Sequence, residues 1–189
     1  MVIPSPGRVR EILETYQVPP HIVLHSEIVR KVALFIVSSL NEMGIPIDTA
    51  AVEAASLLHD LCKMDAIHLG GDHALMAQEE LFKLGYPFIG EIVGQHVRLK
   101  SLEINEAMVV NYADKRVMHD RIVSLSERFD DLVARYGTDD YRRKRIREHY
   151  RDLLKVEEII ATYCRNLEDL SDLSVSESVS GSLSQSLSN

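Results

Sequence analysis

The chain has 189 residues, 46% hydrophobic and 26% charged, a composition that fits a folded globular domain and excludes a wholly disordered chain. At roughly 100–200 residues per domain, one domain with at most an appendage is expected. Lys plus Arg number 21 against 29 Asp plus Glu, and the net charge of −8 argues against nucleic acid or an anionic membrane as the main partner.

The apolar residues recur with a helical period and strict alternation is nearly absent, so the expected fold class is all-α. Ser5-Pro6 reads as a helix start, with Val9, Ile12, Leu13 and Tyr16 on the apolar face and Pro19-Pro20 as the stop. A second helix is expected over about 21–43, ended by Gly44, with His25, Val29, Val32 and Ile36 on one face. Asp48 caps a third that reaches about residue 63 and aligns Ala55, His59 and Cys62. Asp72 caps a fourth that ends at Gly85 and holds His73 in its first turn. Pro87 opens a fifth, where Ile89, Val93 and His96 line up, and a sixth from about Asn105 aligns Ala107, Val110 and Asp114. Ser124 to Glu127 has the form of a capping box before a helix with Phe129, Leu132, Val133 and Tyr136 on its apolar face. The last helix is expected over about 140–167, its stripe formed by Ile146, Tyr150, Leu153, Ile160, Tyr163 and Leu167. From 171 to 189 serine dominates and Lys and Arg are missing, which predicts a disordered tail.

Four of these apolar faces each contain one residue that does not belong in a core: His25, His59, His96 or Asp114; His73 joins them at a helix start. A buried carboxylate without a partner costs several kcal/mol, and neighbouring helical positions point about 100° apart, which argues against Lys115 or Arg116 as the partner of Asp114. A divalent metal ion would compensate the charge and would also explain the histidines, since imidazole and carboxylate from facing helices converge inside bundles. Asp60, beside His59, has two oxygens and could bridge two ions about 3.5–4 Å apart. Lys63 projects one turn after His59, where it is suited to a phosphate oxygen or a leaving group.

The order His25, His59-Asp60, Asp114 resembles the metal-binding pattern of the HD-domain superfamily of metal-dependent phosphohydrolases, and the added His73 and His96 resemble its binuclear subset. Leu57 to Lys63 is similar to the His-Asp-x-x-Lys form of bacterial hydrolases, including those acting on diadenosine tetraphosphate. Asn111 to Lys115 is similar to the Ala-Asp context of the family's last ligand. The resemblance covers about residues 20–136 and implies one HD-type helical domain over 1–170. It implies a first metal on His25, His59, Asp60 and Asp114, with Asp60 bridging to a second on His73 and His96. It also implies metal-activated water, Asp60 and Lys63 as catalytic groups, and Lys63, Arg98 and Lys115 as substrate contacts. The implied cofactors are one or two divalent transition-metal ions (iron, manganese, cobalt, nickel or zinc). The implied substrate is a nucleotide or another small phosphorylated metabolite. A mixed-valent di-iron oxygenase of the same superfamily and a non-catalytic nucleotide-binding regulatory module are the alternatives.

Gly85-Tyr86-Pro87 looks like the signature of the cyclic di-GMP-degrading branch, but it precedes His96 and has no His-His-Glu group, so a helix end followed by a helix start explains it. The basic run Arg142 to Arg145, with Arg147 and Arg151, reads as a solvated helix face. His21, His68, His119 and His149 match nothing in the pattern and are expected at the surface. Cys62 and Cys164 are too few for a disulfide framework. With no basic-then-apolar leader and no run near the ~18 apolar residues of a span, a cytoplasmic location is expected, and a homodimer is left open.

Overall fold

The computed structural model describes residues 1–164, 167 and 170, so the expected tail over 171–189 lies outside the described residues. The architecture is all-α, with helices α1 (Pro6–Thr15), α2 (Pro20–Glu42), α3 (Thr49–Leu58), α4 (Lys63–Leu69), α5 (His73–Lys83), α6 (Pro87–Val93), α7 (Glu106–Lys115), α8 (Leu125–Tyr136) and α9 (Asp140–Tyr163). A two-residue hairpin that periodicity does not reveal, β1 (Val117–Met118) and β2 (Arg121–Ile122), joins α7 to α8. Among the described residues no helix is long and apolar enough to cross a membrane.

The helix starts follow the side chains that cap them. Ser5, Asp48, Asp72, Asn105, Ser124 and Asp139 each accept from a backbone N–H of the first turn, satisfying donors that the helix cannot. The capping box at Ser124 is complete, with Glu127 accepting from the Ser124 backbone N–H at 2.9 Å.

At the centre lies α7, in which every residue from Ala107 to Lys115 is buried. Helices α2, α3 and α6 pack around it. Their buried apolar residues include Val29, Val32 and Ile36 from α2, Ala51, Val52, Ala55 and Leu58 from α3, and Ile89, Ile92 and Val93 from α6. Each large apolar side chain taken fully from water contributes about 1.5–3 kcal/mol, so this interface dominates the stability. The C-terminal α9 packs mainly on α8 and meets α7 and α2 more lightly.

Three boundaries differ from the expectation. Helix α3 stops at Leu58 instead of running to residue 63, because the Ser56 carbonyl takes the His59 ring N–H at 2.8 Å. The backbone then passes through two turns closed by Leu61 N–H to Leu58 O and Lys63 N–H to Asp60 O, both 3.1 Å. His96 lies beyond the end of α6, not on its face, and α9 ends at Tyr163 rather than about residue 167. Tyr136, expected on the apolar face of α8, is exposed.

Helices α5 and α6 meet at Gly90, where a Cβ would stand 2.6 Å from Phe82 Cδ1 and 2.9 Å from the Gln78 carbonyl oxygen. That backbone atom cannot rotate away, so the closeness of the two helices depends on the missing side chain. Gly90→Ala is therefore expected to destabilise the protein by about 1–3 kcal/mol, measured by urea denaturation. An unchanged midpoint would refute the tight crossing.

Candidate metal centre

Five segments deliver the candidate ligands. His25 comes from α2, His59 and Asp60 from the turn after α3, His73 from the first residue of α5, His96 from the turn after α6, and Asp114 from α7. They form two abutting triads, His25 with His59 and Asp114, and Asp60 with His73 and His96, each with its donor atoms within 4.8 Å of one another. All six residues are buried except His73, which is half-buried. The sequence-predicted ligand set is thus brought together complete.

Hydrogen bonds fix the tautomers of three of the rings. Nδ1 of His25 bonds the His119 carbonyl at 2.9 Å, Nδ1 of His59 the Ser56 carbonyl at 2.8 Å, and Nδ1 of His96 the Val93 carbonyl at 2.8 Å. A carbonyl can only accept, so Nδ1 carries a proton in each ring and Nε2 is the atom turned inward, as in imidazoles held for a metal. Nε2 of His25 then faces Asp114 Oδ1 at 3.1 Å, and Nε2 of His59 lies 3.4 Å from Asp60 Oδ2 and 3.6 Å from Asp114 Oδ1. In the second triad His73 Nε2 and His96 Nε2 are 3.0 Å apart, and 3.4 and 3.7 Å from Asp60 Oδ1.

These separations test whether a metal fits. Two acceptors about 3 Å apart repel unless a proton or a cation lies between them. Donors bound at about 2.0–2.2 Å to one transition-metal ion stand about 2.9–3.6 Å from each other, close to the spacing of both triads. His59 Nε2 is moreover buried with no hydrogen-bond partner among the described residues. The residues fit a divalent cation with nitrogen and oxygen ligands, and the donor set suits transition metals more than magnesium.

The electrostatics divide the groups, with both acids held ionised and His96 neutral but His59 driven toward its protonated form. Burial opposes ionisation of Asp60, but His59, His73 and Lys63 outweigh it and hold its carboxyl well below the usual range. Burial likewise opposes ionisation of Asp114, and Lys115, His25 and His59 outweigh it. Burial drives His96 down, helped by His59, so that it is neutral at neutral pH. For His59 burial also works downward, yet the two carboxylates overcome it and push this ring up.

The proposed substrate contacts divide. Lys63 Nζ lies 2.6 Å from Asp60 Oδ2 with its side chain 40% exposed, and it borders a cavity of about 520 Å³ that His25 and Asp60 also line. Lys115 does not face this cavity. It is buried, ion-paired to Asp114 and 3.2 Å from the His96 carbonyl, so it holds ligands in place and is not positioned as a phosphate contact. A long flexible stem lets it reach the carboxylate of its own neighbour, which the helical 100° offset does not prevent. Arg98 lines a different cavity, on the side of α9.

Sequence reasoning missed several groups. Arg128, Arg135 and Tyr136 from α8 line the metal-side cavity, together with His21 and His119, and Arg128 Nε is buried with no hydrogen-bond partner among the described residues. His119 is exposed, as expected, but its φ of +58° turns its carbonyl onto His25. No helical period marks residues that act through a turn or from a neighbouring helix. His149 is half-buried rather than a surface residue.

No family model, curated protein or solved structure matches the chain.

Removing Lys115 would leave Asp114 as a buried charge short of its cation. Lys115→Met is expected to destabilise chelator-treated protein by about 3–5 kcal/mol, with part of the loss recovered when Mn²⁺ or Zn²⁺ is added. Chemical denaturation with and without metal measures this, and a loss that metal does not reduce would count against Asp114 as a ligand.

Proposed function

We propose that the chain is an HD-type metal-dependent phosphohydrolase that cleaves a phosphoester or phosphoanhydride of a nucleotide or small phosphorylated metabolite. The observation that carries this reading is the position of Asp60. One carboxylate presents Oδ1 to His73 and His96 and Oδ2 to His59, while Lys63 meets the same Oδ2 from the cavity side. A side chain shared by two clusters and open to a cation-lined cavity suits hydrolysis at phosphorus better than a purely structural metal site.

On this reading His25, His59, Asp60 and Asp114 hold one divalent ion, and Asp60, His73 and His96 a second. Bound ions would supply Lewis acidity and a source of hydroxide at neutral pH. The protein's own groups do the rest. The Nδ1–carbonyl bonds keep three rings aimed inward, so little reorganisation is needed when substrate arrives. Lys63 reaches the cavity with a charge that would face the phosphoryl or leaving-group oxygen. Arg128 and Arg135 stand on the wall, where guanidinium groups match phosphate oxygens. The exposed side chains of Leu24, Ile67 and Tyr136 give the mouth an apolar rim for the organic part of the substrate.

Metal-reconstituted protein is expected to release phosphate from members of a panel of nucleotides, dinucleotides and sugar phosphates. Asp60→Ala should abolish turnover, Lys63→Ala should lower kcat by about 10–100-fold, and Arg128→Ala should act mainly through KM. Turnover that requires dioxygen and ferrous iron would replace this reading with oxygenase chemistry. Nucleotides and metal that only raise the Tm, with no product, would make the chain a binding module.

A further inference from the structure

A second cavity, of about 380 Å³, lies between the segment after α6 and the face of α9, and no candidate metal ligand lines it. Five charged residues border it, and three of them are already paired. Lys100 holds Glu91 at 2.6 Å, Glu148 faces Lys144 at 4.0 Å and Asp152 holds Lys155 at 3.1 Å. Arg98 and Arg145 are left, exposed and without an ion-pair partner among the described residues. Two of the lining residues, Asn111 and His149, also carry a buried polar atom that has no hydrogen-bond partner among the described residues. Asn111 is 1% exposed, and its Nδ2 donates to the Gln95 and His96 carbonyls, both at 2.9 Å. Its amide orientation is therefore fixed, and Oδ1 is a buried acceptor with nothing donating to it. His149 Nε2 is buried without a partner as well. Burial, with Lys115 and Arg98 nearby, lowers His149 to about 4, so the ring is neutral at neutral pH. Leu99, Leu102 and Val156 supply apolar lining.

An orphaned acceptor at the wall and two free guanidinium groups at the rim ask for opposite things from one ligand: a hydrogen-bond donor and an anion. We propose that this cavity binds a phosphate monoester whose organic part carries a hydrogen-bond donor, with the phosphate held by Arg98 and Arg145 and the donor by Asn111 Oδ1. Its volume is at the small end for ligand pockets, about 300–1,000 Å³, which suits a monophosphate rather than a dinucleotide. The site is separate from the metal centre and does not depend on its chemistry.

The test is calorimetric titration of the chelator-treated full chain with AMP and ribose 5-phosphate, adenosine serving as the phosphate-free control. At least one phosphate ester is expected to bind, at least about tenfold more tightly than adenosine. Arg98→Glu and Arg145→Glu should each weaken it by at least about tenfold. Both positions are exposed, and an unchanged circular dichroism spectrum and Tm would confirm folding. Lys63→Ala, in the other cavity, should leave the affinity unchanged. Absence of binding by both esters overturns the proposal. So does binding that both arginine variants retain, or binding that Lys63→Ala weakens as much as they do.

Discussion

Two carboxylates, Asp60 and Asp114, lie inside the bundle, 3% and 6% exposed, and the structure around them is organised to offset that charge. Stranding either one would cost several kcal/mol, a large part of the stability of a domain this size. The compensation comes in two layers. Lys63 and Lys115 take one oxygen of each acid from outside, while imidazoles surround the others from within. The lysines alone would neutralise the pair. A core that needed only neutrality has no use for four histidines whose ring nitrogens converge, because each protonated ring disfavours the next and each neutral one turns a lone pair onto another acceptor. A cation that accepts several lone pairs would resolve this crowding, and the donor spacing could hold one.

The same device appears twice at the ends of helices. His59 bonds the carbonyl of Ser56 and His96 that of Val93, three residues back in each case. The last carbonyls of a helix lack intrahelical partners, so a ring N–H placed just past the end satisfies one of them. Capping, tautomer and ring direction are set by one bond. His25 sits in the second turn of α2, where carbonyls are already used, and it takes its acceptor from the left-handed His119 in the hairpin instead. A turn residue with no periodic signature thus orients a candidate ligand 94 positions away.

Much of this was legible in the sequence. The all-α class follows from the apolar period, and the helix starts from Pro6, Asp48, Asp72, Pro87, Asn105 and Ser124. Five of the six candidate ligands stood out because each is a polar intrusion into an apolar face or a helix start, and Asp60 because it adjoins His59; burial is what makes such an intrusion informative. The illegible part has a common cause. Helix ends set by a ring–carbonyl bond, as at His59, compete with a continuing apolar period that predicts more helix. The hairpin is too short for alternation to register. Lys115 and Arg98, adjacent to ligands in sequence, were assigned by proximity along the chain. One turned inward to an acid and the other faces a separate cavity.

The bundle also divides its labour. The candidate ligands are held by α2, α3, α6 and α7, whose mutual packing forms the deepest core, and by the first turn of α5. The cations on the cavity wall come from α4 and α8, and α8 packs mainly against α9. A shift of the α8–α9 pair would therefore move Arg128, Arg135 and Tyr136 relative to the metal centre while leaving the ligand geometry intact. On the phosphohydrolase reading this separates what the site does from what it accepts. Metal chemistry needs donor atoms fixed within tenths of an ångström, which only a close-packed interior provides. Substrate choice depends on a wall that can change side chains without opening that interior. The second cavity lies at the border of the same two parts, its Arg145 and His149 on α9 and its Asn111 on the buried helix α7.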